Sequence, residues 1–100
     1  MLPTTFTHFQ ASLTEPLPPA DLSPGLLAIW HGLRGEWDKA HELIQAVEDD
    51  DSAWIHAWLH RVEGDSPNAR YWYGLAGRPV GQGDTRAEGL AIVTALLGPG

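Results

Sequence analysis

The chain has 100 residues, a formal net charge of −7, 43% apolar residues and no cysteine. This length suits one domain, and the apolar fraction is typical of a folded globule. The lack of cysteine excludes disulfides and thiolate metal sites. Residues 1–51 carry nine acidic and two basic side chains, whereas the rest of the chain is balanced. Without a basic surface to attract phosphate groups, we expect neither nucleic acid nor a membrane as a partner.

Residues 1–20 are predicted to form an N-terminal segment that ends in a proline-rich linker. Phe6, Phe9 and Leu13 have the spacing of a short amphipathic helix. Three prolines between positions 16 and 19 stop that helix and stiffen the following chain. The first residues lack the basic and apolar regions of a signal peptide, so a cytoplasmic location is expected.

Residues 21–100 are predicted to form an all-α domain of two antiparallel helical hairpins and a C-terminal closing helix. Apolar side chains recur with helical spacing, and glycine or proline interrupts each run. The predicted elements are one hairpin over about 23–48, a second over about 52–77 and the closing helix over about 86–97. Trp58 and Trp72 are expected to be buried where the hairpins meet.

Polar residues before each apolar run predict where the helices begin. Ser23 precedes a proline, which suits the first helical position. Asp51 or Ser52 is expected to cap the third helix. The stretch from Thr85 to Glu88 has the sequence of a capping box, in which the glutamate side chain returns to the backbone at the helix start.

The second hairpin repeats the first after a shift of 29 residues. The matched pairs are Ala28 and Ala57, His31 and His60, Gly35 and Gly64, and Ala40 and Ala69. Small residues allow two helices to approach closely, and glycine suits the left-handed turn between them. This pattern resembles the tetratricopeptide repeat, and residues 68–76 resemble the core of Sel1-like repeats. Residues 54–61 also resemble uncharacterised bacterial proteins of unknown function. The repeat resemblance implies protein or peptide binding and no chemistry.

A group of histidines on the third helix is the one candidate for chemistry. His56, His60 and Glu63 lie within about 60° of one another on a helical wheel. Two histidines one turn apart, with a carboxylate, can bind a metal ion or transfer protons. His31 is the repeat equivalent of His60 and could join them. The alternative function is therefore a small metal-dependent or acid–base enzyme.

The interpretation favoured by the sequence is that these histidines are hydrogen-bonded wall residues and that no cofactor is required. The HExxH motif of zinc proteases is missing, because Glu63 does not lie between the histidines. The leading prediction is a cytoplasmic protein–protein interaction or scaffolding module.

An exposed aromatic surface is the predicted binding site of that module. Trp54 lies at the edge of the apolar arc of its helix, and Tyr71 lies off the inner face of the next one. Large aromatic residues commonly anchor interfaces. Arg61 and Arg70 are expected either to flank this surface and hold a carboxylate or to pair with Glu63, Asp65 or the acidic first half of the chain. The histidines and Glu63 belong to the same candidate surface.

The closing helix is apolar on two sides, which predicts that something covers it. Leu90, Val93 and Leu97 lie on one side, and Ile92 and Leu96 lie on roughly the opposite side. A terminal repeat helix normally has a polar outer face. Either the N-terminal segment covers the second side, or a second chain does. A homodimer through Ile92 and Leu96 is the preferred prediction.

Overall fold

The structure is a computed structural model that describes residues 4–98, and it contains six α-helices. They are α1 (Phe6–Ser12), α2 (Pro24–Leu33), α3 (Trp37–Gln45), α4 (Asp50–Glu63), α5 (Ser66–Ala76) and α6 (Thr85–Leu97). Residues 4–98 contain no β-strand, so the predicted all-α class is confirmed. None of the helices in this part of the chain has the length and apolar character needed to cross a membrane.

The helix starts follow the predicted caps at α2 but not at α4. The Ser23 hydroxyl accepts a hydrogen bond from the backbone N–H of Leu26 at 3.2 Å. At α4 the cap is Asp49, whose carboxylate accepts from the backbone N–H of Ser52 at 2.7 Å. The prediction of Asp51 or Ser52 was therefore wrong by about one turn. The earlier start places Asp51 within the first turn, where the helix dipole favours a negative charge.

The capping box predicted at α6 is also replaced by another arrangement. Asp84 caps the helix by accepting from the backbone N–H of Ala87 at 2.8 Å. Thr85 is the first helical residue, and Glu88 points to Arg61 of α4 instead of returning to the backbone. A charged tertiary partner is a stronger hydrogen-bond donor than a backbone amide, which accounts for the difference.

The two glycine turns predicted by the repeat are confirmed. Gly35 follows α2 with φ of 82°, and Gly64 ends α4 with φ of 89°. Other residues meet a steric penalty in this left-handed region, because their Cβ approaches the neighbouring carbonyl. The two glycines therefore determine where α3 and α5 turn back along α2 and α4.

The main core forms around α4, which packs against α2, α3, α5 and α6. The Trp58 side chain of α4 is almost completely buried, and its Nε1 donates to the carbonyl of Thr85 at 2.7 Å. Its ring lies between Gly32 of α2 and Gly89 of α6, where an added Cβ would lie 2.6 Å and 2.7 Å from the nearest ring atom. Two glycines on facing helices thus make the space for one indole.

A smaller core between α4 and α5 contains Ala57, Ala69 and Tyr73. Trp72 packs against its edge and remains half-buried rather than largely buried as predicted. One face of the Trp72 indole stacks on a histidine ring of α4, which leaves part of the residue on the surface.

The N-terminal helix belongs to the main core. Phe9 is completely buried there, and α1 packs against α6. Trp30 of α2 donates its indole N–H to the Ser12 hydroxyl at 2.9 Å, and Arg34 donates to the carbonyl of Leu13 at 3.1 Å. These bonds tie the segment predicted as separate to the helices that follow it.

The second apolar side of α6 is consequently covered within the single chain. Ile92 is completely buried, and Leu96 is half-buried against the same core that contains Phe9. The sequence left two ways to cover this side, by the N-terminal segment or by a second chain, and the structure shows burial within the chain. The homodimer through Ile92 and Leu96 stays a prediction, but the uncovered face on which it depended is absent from the described residues.

Candidate functional site

Three histidines from two helices come together beside the core, and we name them the histidine cluster. They are His41 of α3 and His56 and His60 of α4. One nitrogen of each ring lies within 4.8 Å of a nitrogen of each other ring. The Nε2 atoms of His41 and His56 are 3.1 Å apart, so one ring donates a hydrogen bond to the other.

Helical periodicity brings these side chains to the contact between α3 and α4. His56 and His60 are one turn apart on α4, and they are only 7% and 6% exposed. His41 lies one turn after Trp37 and nearly one turn before the buried Ile44, so it shares the inner side of α3. The cluster is therefore a product of how these two helices pack.

Two indole rings hold His41 and His56 in position. Trp37 stacks parallel to His41, with ring centroids 4.7 Å apart, and its Nε1 donates to the carbonyl of Leu59 at 2.6 Å. Trp72 stacks on His56 with centroids 3.8 Å apart. The stacked rings restrict rotation of the imidazoles and keep water from their faces.

Glu63 orients the third histidine. Its Oε2 lies 2.7 Å from Nδ1 of His60, which is a hydrogen bond between residues three apart on α4. When the ring is neutral, this bond places the proton on Nδ1 and leaves a lone pair on Nε2. A carboxylate behind a histidine in this way is the usual outer partner of a metal-binding imidazole.

The surroundings of His56 and His41 favour neutral imidazoles. Burial, together with smaller effects of the neighbouring His60 and His41, lowers the pKa of His56 from its ordinary value of 6.5 to about 4. Burial also lowers the pKa of His41, to which His60 adds a smaller effect of the same sign. At neutral pH these two rings are therefore uncharged and able to act as ligands or hydrogen-bond partners.

His31, the third histidine considered from the sequence, lies elsewhere. Its Nδ1 is 2.9 Å from Oε1 of Glu36, and its ring meets Trp30 edge-on. The hydrogen bond from His31 lowers the pKa of Glu36. The structure thus brings His41, and not His31, to His56 and His60.

Arg61 is used inside the fold. It donates to Oε1 of Glu88 at 2.7 Å and to the carbonyl of Gly83, which links α4 to the start of α6. The other oxygen of Glu88 accepts from the Tyr73 hydroxyl. Burial, and then this hydrogen bond, raise the pKa of Tyr73. Arg61 thus pairs with an acidic residue, but that residue is Glu88 and not Glu63, Asp65 or one of the first half of the chain as predicted.

A groove of about 360 Å³ lies next to the cluster, between the end of α3, the start of α4 and α5. We name it the acidic groove. Its apolar wall contains Ile44, Val47, Ala53, Trp72 and Leu75, and its polar wall contains Gln45, Glu48, Asp49, Asp50, Ser52 and His56. His56 lines the acidic groove and also belongs to the histidine cluster, so the two sites are adjacent and share this residue.

The aromatic surface predicted from the sequence is only partly available. Tyr71 is 61% exposed and meets Trp72 edge-on, and Arg70 is also exposed. Trp54 is half-buried, and the guanidinium of Arg78 lies 3.9 Å from its ring centre. The exposed part of the predicted surface is thus the outer side of α5.

His41 and Leu75 were not singled out from the sequence, although each had a detectable signal. His41 is one turn from the large aromatic Trp37 and therefore lies on the same side of α3. Leu75 follows Tyr71 by one turn, so an exposed Tyr71 predicts an exposed Leu75. Helical phase relative to these neighbours was the signal in both cases.

Comparisons of the chain with known protein families, with curated proteins and with solved structures gave no match. The resemblance to tetratricopeptide and Sel1-like repeats therefore stays a prediction.

Proposed function

We propose that the chain is a helical protein-interaction module whose acidic groove binds a peptide segment with a large apolar side chain next to lysine or arginine. The observation that carries this proposal is the position of Leu75. It is 51% exposed and also forms part of the apolar wall of the groove. An apolar side chain that is both exposed and beside a concave surface is typical of a binding site.

Tyr71 extends the apolar surface along α5. It lies one turn before Leu75 and is still more exposed. An aromatic ring at the edge of a groove supplies a large contact area with little loss of side-chain entropy. A partner segment lying along α5 would contact both side chains and insert an apolar side chain between α4 and α5.

The charge of the groove defines the other half of the partner. Glu48, Asp49 and Asp50 line one side, and the ion pairs among residues 4–98 involve none of these three carboxylates. Their field attracts cationic side chains and repels acidic ones, which gives selectivity and faster association. A basic peptide therefore fits this groove better than an acidic or neutral peptide.

The helix arrangement supports the same class of function. α2 packs on α3, and α4 packs on α5, as expected for two tetratricopeptide-like hairpins. That resemblance implies binding of protein segments. The volume of about 360 Å³ lies in the lower part of the usual range for ligand pockets, roughly 300–1,000 Å³, and suits one or two side chains.

Fluorescence anisotropy with short labelled peptides tests this proposal. Each peptide carries a leucine or phenylalanine anchor, flanked in one series by lysines and in the other by glutamates. We expect saturable binding of the lysine series alone, weakened by salt because the attraction is electrostatic. Leu75→Asp should reduce binding of the best lysine peptide by at least about tenfold, because it places a charge on the apolar wall.

Leu17→Asp is the matched control, since Leu17 is 75% exposed and lies outside the residues that line the groove. It should leave the affinity unchanged. Equal binding of the lysine and glutamate series, or equal losses in the two aspartate variants, would show that the acidic groove is not the binding site.

A further inference from the structure

The histidine cluster has the donor spacing of a metal site. Two imidazole nitrogens on one tetrahedral zinc ion stand about 3.3 Å apart, because each Zn–N bond is about 2.05 Å long. The Nε2 atoms of His41 and His56 are already 3.1 Å apart. The third donor, from His60, lies within 4.8 Å of both, so a movement of the His60 ring alone would bring all three donors to one ion.

We propose that His41, His56 and His60 bind one zinc ion or a similar divalent transition-metal ion. Imidazole suits zinc, copper, nickel and cobalt, whereas calcium and magnesium prefer oxygen donors. Three protein ligands leave a fourth tetrahedral position for water or another small ligand. This site shares His56 with the acidic groove, but the inference does not depend on the proposed peptide binding.

Side chains around the histidine cluster orient its three rings before any ion binds. Glu63 holds Nδ1 of His60, which leaves Nε2 as the nitrogen that can bind. Trp37 and Trp72 stack on the other two rings and restrict their rotation. A ligand set that is already ordered loses little conformational entropy when the ion binds.

The contact between His41 and His56 agrees with this assignment. In the metal-free chain these two rings share a single hydrogen bond between their Nε2 atoms, and an ion would replace it with two ligand bonds.

The ligands proposed here differ from those that the sequence spacing suggested, which were His56, His60, Glu63 and His31. Glu63 is the hydrogen-bond partner of a ligand and not itself a ligand. His31 is excluded because it does not lie with the three rings of the histidine cluster. A second group, His60 with Glu63 and Asp65, also has donor atoms within 4.8 Å of one another. We favour the histidine cluster because Asp65 already accepts from the backbone of Asn68 as the cap of α5.

Zinc chloride titrated calorimetrically into the tag-free, chelator-treated chain tests the proposal. We expect one zinc ion per chain with micromolar or tighter affinity. His41→Gln, His56→Gln and His60→Gln should each weaken binding by at least about tenfold, the scale found when metal sites lose a supporting group. Cobalt added to the wild-type chain should give the intense visible absorption of a tetrahedral complex.

Two control variants separate the histidine cluster from its neighbours. His31→Gln removes the repeat equivalent of His60, and Asp65→Asn removes a carboxylate of the second group while keeping a capping side chain. Both should bind zinc as the wild type does. Absence of saturable zinc binding by the wild type would overturn the proposal without any variant. It would also fail if a folded His41→Gln kept full affinity, or if Asp65→Asn lost as much as His56→Gln.

Discussion

Gly89→Ala should destabilise the chain although alanine is the better helix former. A Cβ at position 89 would lie 2.7 Å from Cζ2 of Trp58 and 2.8 Å from Cδ2 of Leu33. The indole cannot move aside easily, because Gly32 packs against its other side and Thr85 accepts its N–H. The added methyl group must therefore push α6 away from α2 and α4.

Two contributions of opposite sign determine the free energy of unfolding of the Gly89→Ala chain. Replacing glycine by alanine inside a helix stabilises the folded state by about 1 kcal/mol. Overpacking a filled core costs about 1–3 kcal/mol, and the upper part of that range applies because two neighbours must shift. We expect a net loss of about 1–2 kcal/mol, which lowers the melting temperature of a chain this size by roughly 5–15 °C.

Gly74→Ala is the matched control for this prediction. Gly74 lies in α5, and a Cβ there has no neighbouring atom within 4 Å. This change should stabilise the chain by about 0.5–1 kcal/mol. Urea unfolding followed by tryptophan fluorescence measures both variants. A Gly89→Ala chain as stable as the wild type would refute the packing of α6 against Trp58.

Three further changes test other parts of the fold. Glu88→Ala should lower the free energy of unfolding by about 2–3 kcal/mol, since it removes the hydrogen-bond acceptor of the half-buried Arg61 and the buried Tyr73. Glu42 is exposed, so Glu42→Ala should change this free energy by less than about 0.5 kcal/mol. Urea unfolding measures both variants. The pKa of His56 falls to about 4 on folding, so the unfolded chain binds more protons than the folded chain between that pH and about 6.5. The free energy of unfolding of the metal-free chain should therefore fall by up to about 3 kcal/mol as the pH drops through this window. His56→Gln should show a smaller loss in denaturation at about pH 4.5 and 7.5, and equal losses would contradict the lowered pKa. Ile92→Asp should unfold the chain, as seen by circular dichroism, rather than convert a dimer to a folded monomer, because the charge would be buried. A folded, monomeric Ile92→Asp alongside a dimeric wild type in sedimentation would instead support the predicted homodimer.

The sequence by itself determined the helical class and most of the turns. Ser23, Gly35 and Gly64 act through bonds and dihedral angles within a few residues, so their roles are readable without the rest of the chain. The pairing of His56 and His60 was readable for the same reason, because a single helix sets their spacing.

Only the tertiary structure decided which partners these residues meet. His41 joins His56 and His60 through the packing of α3 on α4, whereas the repeat pattern favoured His31. Glu88 leaves its predicted capping position for Arg61. Each choice depends on the distance between helices that are far apart in the chain, and periodicity along one helix carries no information about that distance.

The covering of α6 depends on the same physical limit. Residues 6–13 and Ile92 were both recognisable as apolar faces in need of a partner. Which face covers which is set by the competition between intramolecular and intermolecular burial. In the structure Phe9, Leu13 and Ile92 share one core, so the burial is intramolecular. Local patterns therefore identified the surfaces, and their pairing was settled only when all six helices were packed together.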